Sequence, residues 1–101
     1  MDRIERIAHM EELLDEASEA LKTLDGALAA YEEALGAIDE LSEYYTSDEW
    51  MADFEADEAG ELPADLKRGV LSEDAVYDTL TLQHDLVASM NAMVAAYLER
   101  M

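Results

Sequence analysis

Residues 7–45 read IAHMEELLDEASEALKTLDGALAAYEEALGAIDELSEYY, and this stretch decides the fold. Apolar residues recur along it in alternating steps of three and four, from Ile7 to Tyr45. This is the heptad spacing of a helix that buries one face. The stretch therefore predicts one long helix over residues 2–45, with Gly26 and Gly36 as the positions where a bend would fall. A neighbouring apolar row widens the face, as is typical of bundles. It consists of Leu13, Ala20, Ala27, Ala34 and Leu41.

A second helix is predicted over residues 47–59. Thr46 precedes Glu49 by three residues, which is the spacing of a capping box at a helix start. Tyr45 and Trp50 flank this cap as a hydrophobic staple. The helix is expected to end near Gly60, because glycine readily adopts the left-handed conformation that closes helices.

The rest of the chain predicts a short helix and a long one. Pro63 suits the first position of a helix over residues 63–68, and Gly69 suits the residue that closes it. Ser72 is expected to cap the last helix, over residues 73–100. Leu71 and Val76 form a second staple across that cap.

These elements predict an all-α fold within a single domain, residues 1–101. The long N-terminal helix packs antiparallel against the C-terminal helix, with short helices in the connection, as a helical hairpin or small bundle. The first helix spans ~65 Å and the last ~42 Å, so part of the first stays uncovered in a hairpin. Either the short elements cover residues near 31–45 in a monomer, which we prefer, or a homodimer supplies the missing surface.

The amino-acid composition narrows the range of possible functions. The chain has 101 residues with 26 acidic and 6 basic side chains, a formal charge of -20. This charge disfavours direct binding to nucleic acid or anionic membranes and favours a protein partner with a basic surface. Cysteine is absent, which excludes thiolate chemistry. We expect a cytoplasmic location, because neither a signal-peptide pattern nor a membrane-spanning stretch is found.

The middle of the chain resembles a bacterial family. The run DFEADEAGELP over residues 53–63, continued by DLKRGVLSED over residues 65–74, is similar to the family's signature. RIERI at residues 3–7 and YY before SDEW at residues 44–50 are also similar. The resemblance covers roughly residues 1–80 and implies a small acidic helical protein. The family is catalogued only as a domain of unknown function, so no activity or site residue transfers.

The sequence predicts no catalytic, metal or cofactor site. Seven acids crowd residues 48–61, but an EF-hand starting at Asp53 would have Glu58 in place of the turn glycine and Ala64 in place of the bidentate carboxylate. A weak cation site is the alternative to a solvated helix face. His9 and Glu12 reverse the order of helical di-iron motifs. The serine and threonine hydroxyls that could act as nucleophiles are better explained as helix caps, so we do not expect an enzyme.

The acids are candidates for binding a partner. Thirteen of them lie between Asp2 and Glu43, several at one-turn spacing, which works against the helix. We therefore predict a non-enzymatic protein–protein interaction module that binds a basic partner. The alternative is an acidic DNA mimic that blocks the nucleic-acid groove of a nuclease or another DNA-binding complex. The candidate binding residues are Glu11, Glu12, Asp15, Glu16, Glu19, Asp53, Glu55, Asp57 and Glu58.

Overall fold

The computed structural model describes residues 2–101, and all of the regular secondary structure in this range is helical. It contains α1 (Arg3–Tyr45), α2 (Asp48–Glu58), a 3-10 helix (Gly69–Leu71) and α3 (Ala75–Glu99), with no strand among these residues. The all-α class, the long N-terminal helix, the C-terminal helix and the short helix between them are confirmed. By its contacts the chain divides into a first unit that ends at Gly36 and a second unit, Ala37–Met101.

Helix α1 is continuous through both of its glycines. Neither Gly26 nor Gly36 interrupts the 43-residue helix, because a sustained run of good helix formers surrounds each of them. At its start, the Asp2 carboxylate accepts a hydrogen bond from the Glu5 N–H at 2.8 Å. Asp2 thereby satisfies one of the free amide groups of the first turn.

The cap of α2 lies one residue later than predicted. Ser47, not Thr46, occupies the N-cap position, and its hydroxyl accepts a hydrogen bond from the Trp50 N–H at 3.2 Å. Thr46 instead donates its hydroxyl back to the Ser42 carbonyl at 3.1 Å. The Thr46–Glu49 capping box is therefore wrong, because the last turn of α1 already uses the threonine hydroxyl.

The end of α2 was predicted correctly at Gly60. Its φ of 73° is the only positive value among the described residues. The Glu61 N–H donates to the Ala56 carbonyl and the Gly60 N–H donates to the Asp57 carbonyl, both at 3.0 Å. This pair of bonds is the Schellman arrangement, which satisfies the last free carbonyls of the helix.

The helix predicted over residues 63–68 is wrong. The chain makes a single turn there, in which the Leu66 N–H donates to the Pro63 carbonyl at 3.2 Å. A helix of six residues forms too few hydrogen bonds to offset its nucleation cost. Gly69 opens the 3-10 helix and does not have the left-handed conformation assigned to it.

The core of the second unit is small and surrounds Trp50. Trp50, Leu71 and Val76 are buried, so both residues of the second staple lie inside. The Trp50 indole N–H donates to the Val70 carbonyl at 3.0 Å. The Tyr45 ring meets the Trp50 ring edge-on at 5.2 Å, which confirms the predicted contact.

The end of α1 contacts the start of α3. The Tyr45 hydroxyl donates to the Glu73 carbonyl at 3.4 Å, just before α3 begins. Within the second unit, Ile38 and Leu41 of α1 are half-buried. The predicted cap at Ser72 is two residues early, because α3 begins at Ala75 with Asp74 at the N-cap position. The Ser72 hydroxyl still accepts a hydrogen bond from the Ala75 N–H at 3.2 Å.

Candidate interaction surface

The first unit presents an exposed apolar face along α1. The side chains at the two inward heptad positions form a continuous row, which we call the α1 stripe. Its large residues are Ile7, Met10, Leu14, Leu21, Leu24 and Leu28, and each is between 45% and 64% exposed. A residue on a helix with no neighbour keeps about this much surface, so the stripe is uncovered. Monomeric proteins seldom leave such a continuous apolar patch in water.

The acidic candidates of α1 fall into two groups around this stripe. All five are exposed. Glu11 flanks the stripe, because it directly follows Met10. Asp15 lies on the same side of the stripe, one helical turn after Glu11. Glu12 and Glu19 lie on the opposite face, half a turn or more away from the apolar row. Glu16 lies beyond the Leu13 row, on the other flank.

A single flank of the stripe carries most of the nearby charge. Heptad position e, beside the stripe, is occupied by Glu11, Asp25 and Glu32, which we call the acidic edge. All three are exposed. Heptad position g, on the other side, carries Arg6, Leu13 and then only alanines within this unit. From residue 11 onwards the stripe is therefore bordered by carboxylates on one side and by apolar side chains on the other.

The acidic candidates of α2 differ in their roles. Asp53 accepts a hydrogen bond from the Tyr44 hydroxyl at 2.6 Å. Asp57 forms an ion pair with Arg68 at 2.9 Å, and both side chains are partly buried. Glu55 and Glu58 are exposed on α2. Asp53 and Asp57 thus hold the segment between α1 and α3 in place. Only Glu55 and Glu58 remain available to a partner.

Tyr44 was missed as a functional or structural residue. Its hydrogen bond to Asp53 raises the pKa of the Tyr44 phenol to about 12, with smaller contributions from desolvation and from the Asp53 and Glu49 charges. The phenol therefore stays protonated at neutral pH and acts as a donor that ties the end of α1 to α2. Sequence spacing gave no sign of this contact, because Tyr44 and Asp53 lie on different helices.

A groove lies beside this hydrogen bond in the second unit. Its lining includes Tyr44, Asp53, Leu62, Leu66 and Arg68. Tyr44 and Asp53 bind each other, and Arg68 binds Asp57 of α2. The other lining residues are apolar except for Lys67, and no serine, threonine or histidine is among them.

The last turns of α3 form a second exposed apolar surface. Met93 is 70% exposed and Leu98 is 60% exposed. No charged residue occurs from Leu86 through Leu98. We call this the α3 face; it has apolar side chains like those of the α1 stripe but no acidic edge.

Residues 2–101 contain neither a clustered set of metal-binding side chains nor a membrane-spanning helix. Over residues 2–101, no group of three or more His, Asp or Glu side chains is arranged to hold a metal ion. No helix in the same range is long and apolar enough to cross a membrane.

Comparison with known proteins gives one match. A family model described as a domain of unknown function (DUF4298) matches residues 7–93. No curated protein and no solved structure matches the chain. The match includes all of the α1 stripe, all of α2 and the α3 face as far as Met93.

Proposed function

Because the chain belongs to DUF4298, a family described only as a domain of unknown function, we propose its function from its surfaces: it is a non-enzymatic protein–protein interaction module that binds a basic partner. The observation that supports this proposal is the α1 stripe. Six large apolar side chains lie in one row and keep about half of their surface in water. Covering such a row is the main source of free energy in helix association.

The stripe alone gives only weak binding. Completing the burial of six half-exposed side chains contributes roughly 5 to 9 kcal/mol. Association costs about 4 to 15 kcal/mol in lost translational and rotational freedom. The two terms are similar, so a specific complex needs a further favourable interaction. Carboxylates beside the stripe supply one when the partner is basic.

The charge distribution supports a basic partner. Residues 1–36 carry ten acidic and three basic side chains, and residues 37–101 carry sixteen and three. Both units are therefore strongly negative and attract cationic surfaces over a distance of about one Debye length, roughly 8 Å at physiological salt. Direct contact with nucleic acid or an anionic membrane is opposed by the same field. A cytoplasmic location is part of the proposal.

An affinity pull-down from the native cell, followed by mass spectrometry, tests this function. The bait is the full chain as wild type, as Leu14→Gln/Leu21→Gln in the stripe, and as Glu12→Gln/Glu19→Gln on the opposite face. We expect a basic protein that the wild type and the opposite-face variant retain and the stripe variant loses. Retention of the same partners by all three baits would refute a role for the stripe.

An acidic DNA mimic is a second candidate. Among residues 2–101, one ion pair is present, between Arg68 and Asp57, so nearly all carboxylates are free to face a nucleic-acid groove. One charge per ~5 Å of α1 is sparser than the ~1.7 Å of duplex DNA, and the other helices would have to contribute. This candidate predicts that duplex DNA competes with the protein for its partner and that the stripe variant still binds.

A further inference from the structure

We propose that the α1 stripe binds an amphipathic helix whose Lys or Arg side chains follow one flank at the spacing of the acidic edge. This inference rests on the proposed function and specifies the partner's chemistry. It combines two independent features of the first unit: an uncovered apolar row and a line of carboxylates along one side of it.

The shape of the stripe fits a helix. From Ile7 to Leu28 it is ~32 Å long, which corresponds to a partner helix of about 22 residues. Its residues repeat every seven positions, and the side chains of a second helix with the same repeat fill the spaces between them. The alanines on the uncharged side allow the partner backbone to approach closely there.

The acidic edge sets the position of the partner's charges. Glu11 and Asp25 are ~21 Å apart along the helix, and Asp25 and Glu32 are ~10 Å apart. Ser18 occupies the intervening heptad, so the edge has a gap. A partner helix therefore needs cations fourteen and then seven residues apart on the flank that meets this edge. A positive net charge alone is therefore not enough, because the cations of the partner helix must follow this spacing.

A second copy of the chain fits the surface poorly. In an antiparallel pair of α1 helices the two acidic edges would face each other, and like charges would repel. In a parallel pair each acidic edge would face the Leu13 and alanine row, whose one cation within this unit, Arg6, would lie near Glu11 only. Neither arrangement places a cation opposite Asp25, and the pair would combine two chains of charge -20. The charges favour a different, basic helix.

Synthetic peptides test the inference on the unmodified full chain. Three 28-residue helices share leucine at the two inward heptad positions. The first has lysine on the flank opposite Glu11, Asp25 and Glu32, the second has the same lysines on its outer face, and the third has glutamate on the flank. Fluorescence anisotropy gives Kd at low and high salt. We expect the flank-lysine peptide to bind about tenfold tighter than the outer-lysine peptide, and this ratio to fall as salt rises.

Charge-matched variants locate the contact. Glu11→Gln/Asp25→Asn removes two charges from the acidic edge and is expected to abolish most of the tenfold preference. Glu12→Gln/Glu19→Gln removes two charges from the opposite face and is expected to keep it. Circular dichroism confirms that each variant remains helical, which the exposure of these residues favours.

Each remaining outcome has a distinct meaning. Equal binding of the flank-lysine and outer-lysine peptides overturns the charge pattern, and the pull-down then decides whether the stripe still binds a partner. Binding of no peptide overturns the inference, while loss of stripe dependence in the pull-down overturns the proposed function itself. Sedimentation of the free chain as a dimer that Leu14→Gln/Leu21→Gln dissociates would assign the stripe to a second copy and refute the basic helix.

Discussion

Replacing Trp50 should unfold the connection between the long helices. Its ring is buried, stacks on the Phe54 ring at 5.3 Å, and donates its indole N–H to the Val70 carbonyl. Trp50→Ala removes all three interactions, and a buried tryptophan replaced by alanine typically costs about 3 to 5 kcal/mol. Trp50→Phe keeps an aromatic ring but leaves the Val70 carbonyl without its donor, at about 1 to 3 kcal/mol.

Native-state hydrogen exchange measures these costs locally. Amides of α2 and of residues 69–76 report the free energy of opening of this region. We expect protection to fall in the order wild type, Trp50→Phe, Trp50→Ala, while amides of residues 10–28 keep their protection. Met51→Ala is the control, because Met51 is half-exposed on the same helix. Equal protection in wild type and Trp50→Ala, or an equal loss in the Met51 control, would show that the small core does not hold the connection.

Three further predictions concern caps, glycines and pH. Ser47→Ala should lower the free energy of unfolding by about 1 kcal/mol, measured by urea denaturation, because it removes the α2 cap; an unchanged midpoint would contradict this role. Gly26→Ala should raise helix stability by about 0.5 to 1 kcal/mol, since nothing lies near the added methyl. Gly60→Ala should instead lower stability by about 1 to 2 kcal/mol, because its φ is 73°. Thermal melts that shift in the same direction for both variants would refute these two backbone conformations. The pKa of Tyr44 is raised to about 12, so the protonated phenol stabilises the fold. This stabilisation is complete below pH 10 and is lost progressively as the pH rises to about 12. Asp53→Asn should move the tyrosine absorbance titration towards pH 10, and an unmoved titration would exclude the hydrogen bond.

The helices were predictable because their signal is periodic. Heptad spacing repeats over six turns or more, so single misfits such as Ser42 or Gly26 do not alter the assignment. The positive φ of Gly60 was equally readable, since glycine after a helical run has one common use. Caps are less certain: Thr46 and Ser47 are both suitable, and the choice depends on which hydroxyl the last turn of α1 already engages.

The contacts that fix the connection were not predictable. Trp50 and Val70 are twenty residues apart, and no local pattern indicates that an indole N–H meets that carbonyl. The same is true of Tyr44 with Asp53 and of Asp57 with Arg68. The number of acids on α2 therefore overestimates how many residues it offers to a partner, because two of its carboxylates bind Tyr44 and Arg68 within the fold.

The distribution of charge separates a role in binding from a role in solubility. If the acids served only solubility, they would be needed most beside the most exposed apolar side chains. The α3 face includes Met93 at 70% exposure and Tyr97 at 62%, yet thirteen consecutive residues from Leu86 to Leu98 carry no charge. The α1 stripe is no more exposed and is bordered by Glu11, Asp25 and Glu32. Acids thus follow one apolar surface and avoid the other, which solubility alone does not explain and which supports the proposal that the acids beside α1 select a charged partner.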